Sequence, residues 1–282
     1  MCRLKRVSLQ LLFVFSACIV FAQTQTAQRP KVLASDVLTR ARSAVSGGTS
    51  VRDVALTGRV RRIAGSTDES GEAELKAVAT GAARFDLSFP SGPWSEVYTR
   101  GERGPVGEWS GADRKAHAMA YHNLLVDAAW FCPALVLERA SMDGRAVSVV
   151  GRANSSGDAL DHLRLASPPT KTKQATLGLP QKVADVLQKA SEFDLYIDAV
   201  TFLPTEMNFQ AHPDNDPAKD IPIRIRYSDY RPVHGVQVPF HMLEFISNRL
   251  YLDLQIDAAS FNIGLTADSF VVSAQASRSL PQ

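Results

Sequence analysis

Cysteine is scarce in this chain of 282 residues: there are three, Cys2, Cys18 and Cys132. Two fall in the first eighteen residues, so Cys132 has no internal partner in the rest of the chain and no disulfide framework is available. Its neighbours Trp130 to Leu135 are apolar, which fits a structural thiol better than a nucleophile. Net charge is also lacking. The formal balance is +2, from 31 basic and 29 acidic residues. Three of the basic residues, Arg3, Lys5 and Arg6, belong to the N-terminal segment, and without it 28 basic residues face 29 acidic ones. The chain therefore has no basic excess to offer nucleic acid. No repeat of 20–50 residues is visible, and no strand–helix–strand alternation that would signal a parallel sheet.

Reaction chemistry is missing as well. The six histidines, His117, His122, His162, His212, His234 and His241, include no pair at the i, i+4 spacing of a helical metal site. Asp214, Asp216 and Asp220 hint at a calcium loop, but Ala218 stands where a ligand is wanted and no closing Glu follows; a solvated acidic turn is the better reading. No Gly-x-Ser-x-Gly elbow occurs. A Ser-His-Asp set assembled only in space stays open, because such sets are not tied to sequence order. The glycines at 101, 104, 107 and 111 sit between strands and open no helix, which argues against a phosphate cradle. The expectation is a protein without catalytic residues, metal or cofactor.

What is present begins with a targeting signal. The basic start is followed by an apolar stretch from Val7 to Phe21 and by Ala22 at a cleavage position before Gln23. That stretch is too short and too interrupted for a membrane-spanning helix. Residues 1–22 are read as a removable signal peptide and the mature protein as exported or periplasmic. The alternative is a lipoprotein anchored through Cys18 in the box Phe15 to Cys18. Residues 23–33 read as a flexible N-terminal segment, 34–272 as one folded domain and 273–282 as a loose tail.

The domain reads as strands. Phe193 to Ala199, Leu203 to Ala211, Ile221 to Tyr230, Val236 to Ile246 and Leu250 to Ala258 form a run of them. In the third, Ile221, Ile223, Ile225 and Tyr227 share one face against Arg224, Arg226 and Ser228, which is a sheet with one dry side. Earlier, Val54, Leu56, Gly58 and Val60 alternate with Thr57, Arg59 and Arg61, and residues 65–71 read as a polar turn. Phe85, Leu87 and Phe89 alternate with Arg84, Asp86 and Ser88. Short strands follow at Trp94 to Thr99 and 107–110, and further ones at 145–153 and 160–165. Two amphipathic helices are expected. One is capped by Ser35, ends at Gly47 and Gly48, and buries Val37, Leu38, Ala41, Ala44 and Val45. The other starts at Pro180 and buries Val183, Ala184, Leu187 and Ala190. Between strands, Met119 to Arg139 is unusually apolar for a connection and is split by Pro133 into two helical pieces. The class is mainly β (α+β), with a single curved antiparallel sheet.

Four stretches carry a resemblance. Phe193 to Pro204 is similar to the strand–turn–strand of the LolA/LolB-type lipoprotein-carrier superfamily. Ile225 to Pro239 looks like that family's hairpin, and Phe261 to Phe270 like its closing segment. The opening helix with Gly47 and Gly48, followed by strands reaching Arg84, matches its usual start. The resemblance implies an open half-barrel whose concave face, covered by helices, takes up acyl chains. The middle of this chain is longer than the compact carriers need.

A curved sheet must fill its inner face or occupy it. The inward candidates for ligand contact are Phe85, Leu87, Phe89, Trp94, Trp109, Ile223, Ile225, Tyr227, Phe245, Leu252 and Leu254, with Met119 to Leu137 as a candidate lid. Two readings stand. In one, these residues line a cavity for a lipid, an acyl chain or another amphiphile. In the other they pack as a solid core, and the chain is an interaction or sensor module for an envelope protein partner.

Overall fold

The computed structural model describes residues 33–102, 104–155, 158–167 and 180–272. The expected signal peptide with Cys18, the segment 23–32, most of the loop after Ser167 and the tail from Ser273 lie outside the described residues.

One sheet organises the described chain. Its first six strands are β1 (Asp53–Ala64), β2 (Thr67–Val78), β3 (Ala83–Phe89), β4 (Gly92–Gly101), β5 (Gly104–Ser110) and the short β6 (His117–Ala118). The next three are β7 (Ala146–Ser155), β8 (Asp158–Ala166) and β9 (Phe193–Asp198). The last four are β10 (Pro204–Ala211), β11 (Ile221–Val233), β12 (Val236–Ile246) and β13 (Arg249–Phe261). Every neighbouring pair is antiparallel, in the order β6-β5-β4-β3-β2-β1-β13-β12-β11-β10-β9-β8-β7. The sheet is not closed into a barrel; β6 and β7 are its two free edges. It is an open antiparallel half-barrel, mainly β, as expected.

This topology explains the apolar middle of the chain. β6 and β7 are consecutive in sequence yet lie at opposite edges. The segment between them has to cross the sheet, and a crossing over the buried face must be apolar. It contains a 3-10 turn at Tyr121–Leu124 and helix α2 (Pro133–Met142). The two helical pieces are there, but Pro133 opens the second rather than breaking one helix in two. It occupies the first turn of α2, where its missing N–H costs no hydrogen bond.

Helix α1 (Ala34–Ser46) buries Val37, Leu38, Ala41 and Val45 and packs on α2 and on β12. Its first turn has no side-chain cap, so Ser35 lies inside the helix rather than capping it. The expected end is present. Gly47 adopts φ +56°, and its N–H donates to Ser43 O at 3.0 Å. A Cβ there would sit 2.2 Å from Gly235 O, so the glycine also lets the helix end meet the β11–β12 turn. Helix α3 (Gln181–Ala190) buries Ala184 and Ala190 but leaves Val183 exposed, so its apolar stripe is narrower than expected.

The β1–β2 turn is also tighter than expected. The strands pair out to Ala64 and Thr67, and residues 67–71 belong to β2. The core is one cluster joining the sheet's inner face to α1 and α2, with Phe131, Leu135, Leu137, Leu195, Met207 and Ile225 all but inaccessible.

Candidate ligand cavity on the concave face

The alternation of β3 sends Phe85 and Leu87 to the inner face. Register then carries the pattern outward: Phe85 pairs with Glu96 and Leu87 with Trp94 on β4, and Glu96 pairs with Trp109 on β5. Directly opposite residues share a face, so Trp94, Glu96 and Trp109 point inward together. Trp109 faces His117 on β6 in the same way. The rings stack as a ladder, with centroids 4.9 Å apart for Trp94 and Trp109 and 4.2 Å for Trp109 and His117. From the other half of the sheet, Ile225 pairs with Glu244, and Glu244 with Leu252.

These walls line a half-open cavity of about 280 Å³. Phe85, Leu87, Trp94, Glu96, Tyr98 and Trp109 form one side, and Ile223, Glu244, Tyr251 and Leu252 another. Met119, Asn123, Val126, Asp127 and Trp130 of the crossing segment cover it, and Phe209, Gln210, Ala211 and Asp214 complete the rim. The candidate lid therefore lies against the cavity, and its fastenings are specific. Tyr227 Oη donates to Trp130 O at 2.6 Å. Asn123 and the His212 backbone exchange hydrogen bonds of 2.8 and 2.9 Å. Arg139 forms a buried ion pair with Asp127, with Nε donating to Oδ2 at 2.9 Å. Burial pulls the Arg139 guanidinium down to about 10. Trp130 stacks on Phe85 at 5.4 Å, and Phe131 meets the same ring edge-on.

Two carboxylates share the cavity. Glu96 accepts from Trp94 Nε1 at 3.0 Å and from Tyr98 Oη at 2.9 Å. Among the described residues, the Glu244 side chain has no hydrogen bond or ion pair; its place in the ladder is held by the backbone. Its carboxyl is pushed up to about 8, first by burial and then by the charge of Glu96. Burial, followed by the charge of Glu96, raises the Tyr98 hydroxyl well above its ordinary range.

Of the inward candidates, Phe85, Leu87, Trp94, Trp109, Ile223 and Leu252 line the cavity. Ile225, Tyr227 and Leu254 point inward but are packed in the core. Phe89 lies beyond the cavity under Arg62, whose guanidinium is 4.3 Å from its ring centre and pairs with Glu69. Phe245 is a correction. It pairs with Arg224 on the outer face, where the guanidinium stacks 4.5 Å from its ring. The run from Val236 to Ile246 is apolar on both faces, so hydrophobicity could not choose between Glu244 and Phe245; pairing with Ile225 does. Glu96, Tyr98, Glu244 and Trp130 were not among the candidates. Glu96 and Tyr98 were nonetheless visible as the i+2 and i+4 partners of Trp94.

A Ser-His-Asp set lies outside the cavity. Ser228 Oγ is 3.2 Å from His241 Nδ1, and His241 Nε2 is 3.0 Å from Asp253 Oδ1, on the adjacent strands β11, β12 and β13. The sheet continues on both sides of β12, so its backbone donors serve the ladder rather than an oxyanion. The acidic loop is likewise occupied: Asp216 accepts from Ala218 N, and Asp220 pairs with Lys189. Among the described residues, no group of three or more His, Cys, Asp or Glu is placed to hold a metal ion, and no helix is long and apolar enough to cross a membrane.

Comparison with protein-family models gives no match, nor does comparison with curated proteins. Solved structures do match. A candidate outer-membrane lipoprotein-sorting protein domain from Vibrio parahaemolyticus aligns over 84% of this chain and 97% of its own, at 10% identity and a TM-score of 0.52. A DUF1329 family protein from Desulfovibrio piger covers the same shares, at 10% identity and a TM-score of 0.50. The fold is LolA-like. A LolA superfamily protein from Nitrosomonas europaea aligns over 86% and 99%, at 8% identity and a TM-score of 0.49. At such identities the likeness is one of fold alone. In this LolA-like sheet, the long crossing segment is what roofs the inner face.

Proposed function

We propose that this chain is an exported cell-envelope protein that holds a lipid, acyl chain or other amphiphile in its concave cavity, without catalysis. The observation that carries the reading is the cavity itself: an aromatic and aliphatic pocket between the sheet and a roof pinned at a few points. Phe85, Leu87, Trp94, Trp109, Ile223 and Leu252 are the proposed ligand contacts. The signal-like first 22 residues support export, and the LolA-like fold, shared with a domain named for lipoprotein sorting, is in keeping with a carrier.

Size bounds the ligand. At about 280 Å³ the cavity is near the lower end of the roughly 300–1,000 Å³ usual for small-molecule sites. A single chain or a headgroup with part of its tail suits that volume; a multiply acylated lipoprotein needs the roof to open. Each buried methylene contributes about 0.8 kcal/mol, so even a short tail supplies useful affinity.

Native mass spectrometry of the mature protein from a bacterial envelope, followed by organic extraction, tests this. A co-purifying lipid or acylated peptide is the expected result. A bare protein that also fails to bind fluorescent fatty amines and fatty acids sinks it. The second reading, an interaction module for an envelope protein partner, is favoured by one observation: α1 and α2 already fill much of the concave face. A bare protein that captures a defined envelope protein would move the assignment there.

A further inference from the structure

We propose that the polar end of the cavity selects a cationic headgroup: an alkylammonium amphiphile whose nitrogen lies between Glu96, Glu244 and the stacked tryptophans. This rests on the amphiphile reading above and narrows it to one class of ligand.

Charge is the first argument. The cavity lining carries four acidic residues, Glu96, Asp127, Asp214 and Glu244, and among the described lining residues there is no Lys, Arg or His. Arg139 neutralises Asp127 from behind the wall. Glu96 receives only neutral donors, the Trp94 N–H and the Tyr98 hydroxyl. Those bonds orient the carboxylate and leave its charge uncompensated. Glu244 lacks even neutral donors among the described residues, and the one charge acting on it is that of Glu96. Near neutral pH Glu244 keeps its proton, because a second charge beside Glu96 is costly there. A bound cation compensates Glu96 and lets Glu244 ionise as well.

Aromatic content is the second argument, independent of charge. The chain has three tryptophans, and all three, Trp94, Trp109 and Trp130, line this one cavity. Phe85 and Tyr98 stand beside them. The faces of such rings carry negative potential and attract ammonium groups, most strongly when the group is desolvated. Rings alone would suit any apolar ligand, and carboxylates alone would suit water. The two together match an alkylated ammonium, which has a positive centre and an apolar shell. A carboxylate or phosphate headgroup would meet the Glu96 carboxylate and no cation.

The test uses mature protein and three probes with the same twelve-carbon tail, each below its micelle concentration: dodecyltrimethylammonium, laurate and dodecyl maltoside. Calorimetry or the fluorescence of the cavity tryptophans reads binding. The trimethylammonium group does not titrate, so its charge is constant. Expected is dodecyltrimethylammonium binding at least tenfold more tightly than either other probe. Glu244→Gln and Glu96→Gln should each weaken that binding about fivefold or more. Affinity for dodecyl maltoside should stay within about twofold, which also shows that the variants are folded. Equal affinities for all three probes, or a preference untouched by both variants, overturn the cationic selection while leaving amphiphile binding intact. Failure of all three probes removes both readings. Tetramethylammonium, tested alone, separates an amphiphile from a small ammonium ion. It should bind at least a hundredfold more weakly, and equal binding would overturn the assignment to an amphiphile.

Discussion

Ile225 and Trp109 both point inward from the same sheet, yet Ile225 is fully buried in the core with α1 and α2, while Trp109 faces a cavity. The two halves of the concave face differ in what covers them. Over β12 lie α1 and α2, whose buried apolar side chains join the sheet's inner face in one core cluster. Over β3 to β5 lies the part of the crossing segment that precedes α2, whose single 3-10 turn is too short to seal that part of the face. Identical strand alternation thus yields packing under the helices and, beside them, a lined space that Ile223, Glu244 and Leu252 also reach. The packed half carries stability and the open half carries the candidate chemistry.

Substitutions that treat the halves alike should separate them most. Ile225→Asp places a carboxylate where no water reaches and should abolish cooperative folding, costing about 4 kcal/mol or more. Leu87→Asp, on the cavity wall, should cost roughly half as much, fold, and lose amphiphile uptake. Circular dichroism melts and a lipid-binding assay check both; a stably folded Ile225→Asp would mean that the helices do not seal their half.

Arg139→Met tests the seam between the halves. It strands Asp127 without its partner and should cost about 3–5 kcal/mol in chemical denaturation. Adding Asp127→Leu to it should recover much of that loss, since the charge left behind causes most of the damage.

Leu135→Ala against Trp109→Ala sharpens the contrast further. The leucine is inaccessible and should cost about 3 kcal/mol. The tryptophan should cost about 1 kcal/mol while removing most of the binding, because part of its surface already faces the cavity. Comparable losses for the two would erase the distinction.

Glu244, on β12 where that strand reaches the cavity, gives a pH signature confined to the cavity. Its folded carboxyl lies near 8, above the ordinary value of 4.5, so the folded state holds this proton more tightly than the unfolded state. Stability from this group is complete below about 4.5 and is lost as pH rises towards about 8. Melting curves of the wild type and Glu244→Gln should therefore diverge across that window in favour of the variant. A constant difference would mean that the carboxyl titrates normally.

The smallest effect concerns Cys132, at the start of α2. Burial pushes its thiol up to about 12, so the reactive thiolate is rare at pH 8. Folded protein should resist iodoacetamide until it unfolds. Faster labelling would reveal that the helical cover opens on its own.

Much of the strand pattern was legible because alternation is local. Phe85, Leu87 and Phe89 declare their face within seven residues, and Gly47 declares the end of α1 through its backbone alone. The site was half legible. Trp94 and Trp109 were visible as large aromatics on alternating strands. Glu96 and Glu244 were overlooked because a charged residue at an inward position reads as a break in the pattern. Phe245 was misplaced because β12 is apolar on both faces, and such a run carries no period.

By itself the sequence determined the strands, most of their faces, the end of the first helix and the apolar character of the crossing segment. These follow from interactions between residues close along the chain. Tertiary structure alone decided that β1 pairs with β13, which leaves β6 and β7 as opposite edges. That pairing makes the crossing segment a roof, and it brings Glu96 and Glu244 from distant strands into one cavity. Register between strands far apart in sequence is set by the global packing of the inner face, and no local pattern encodes it.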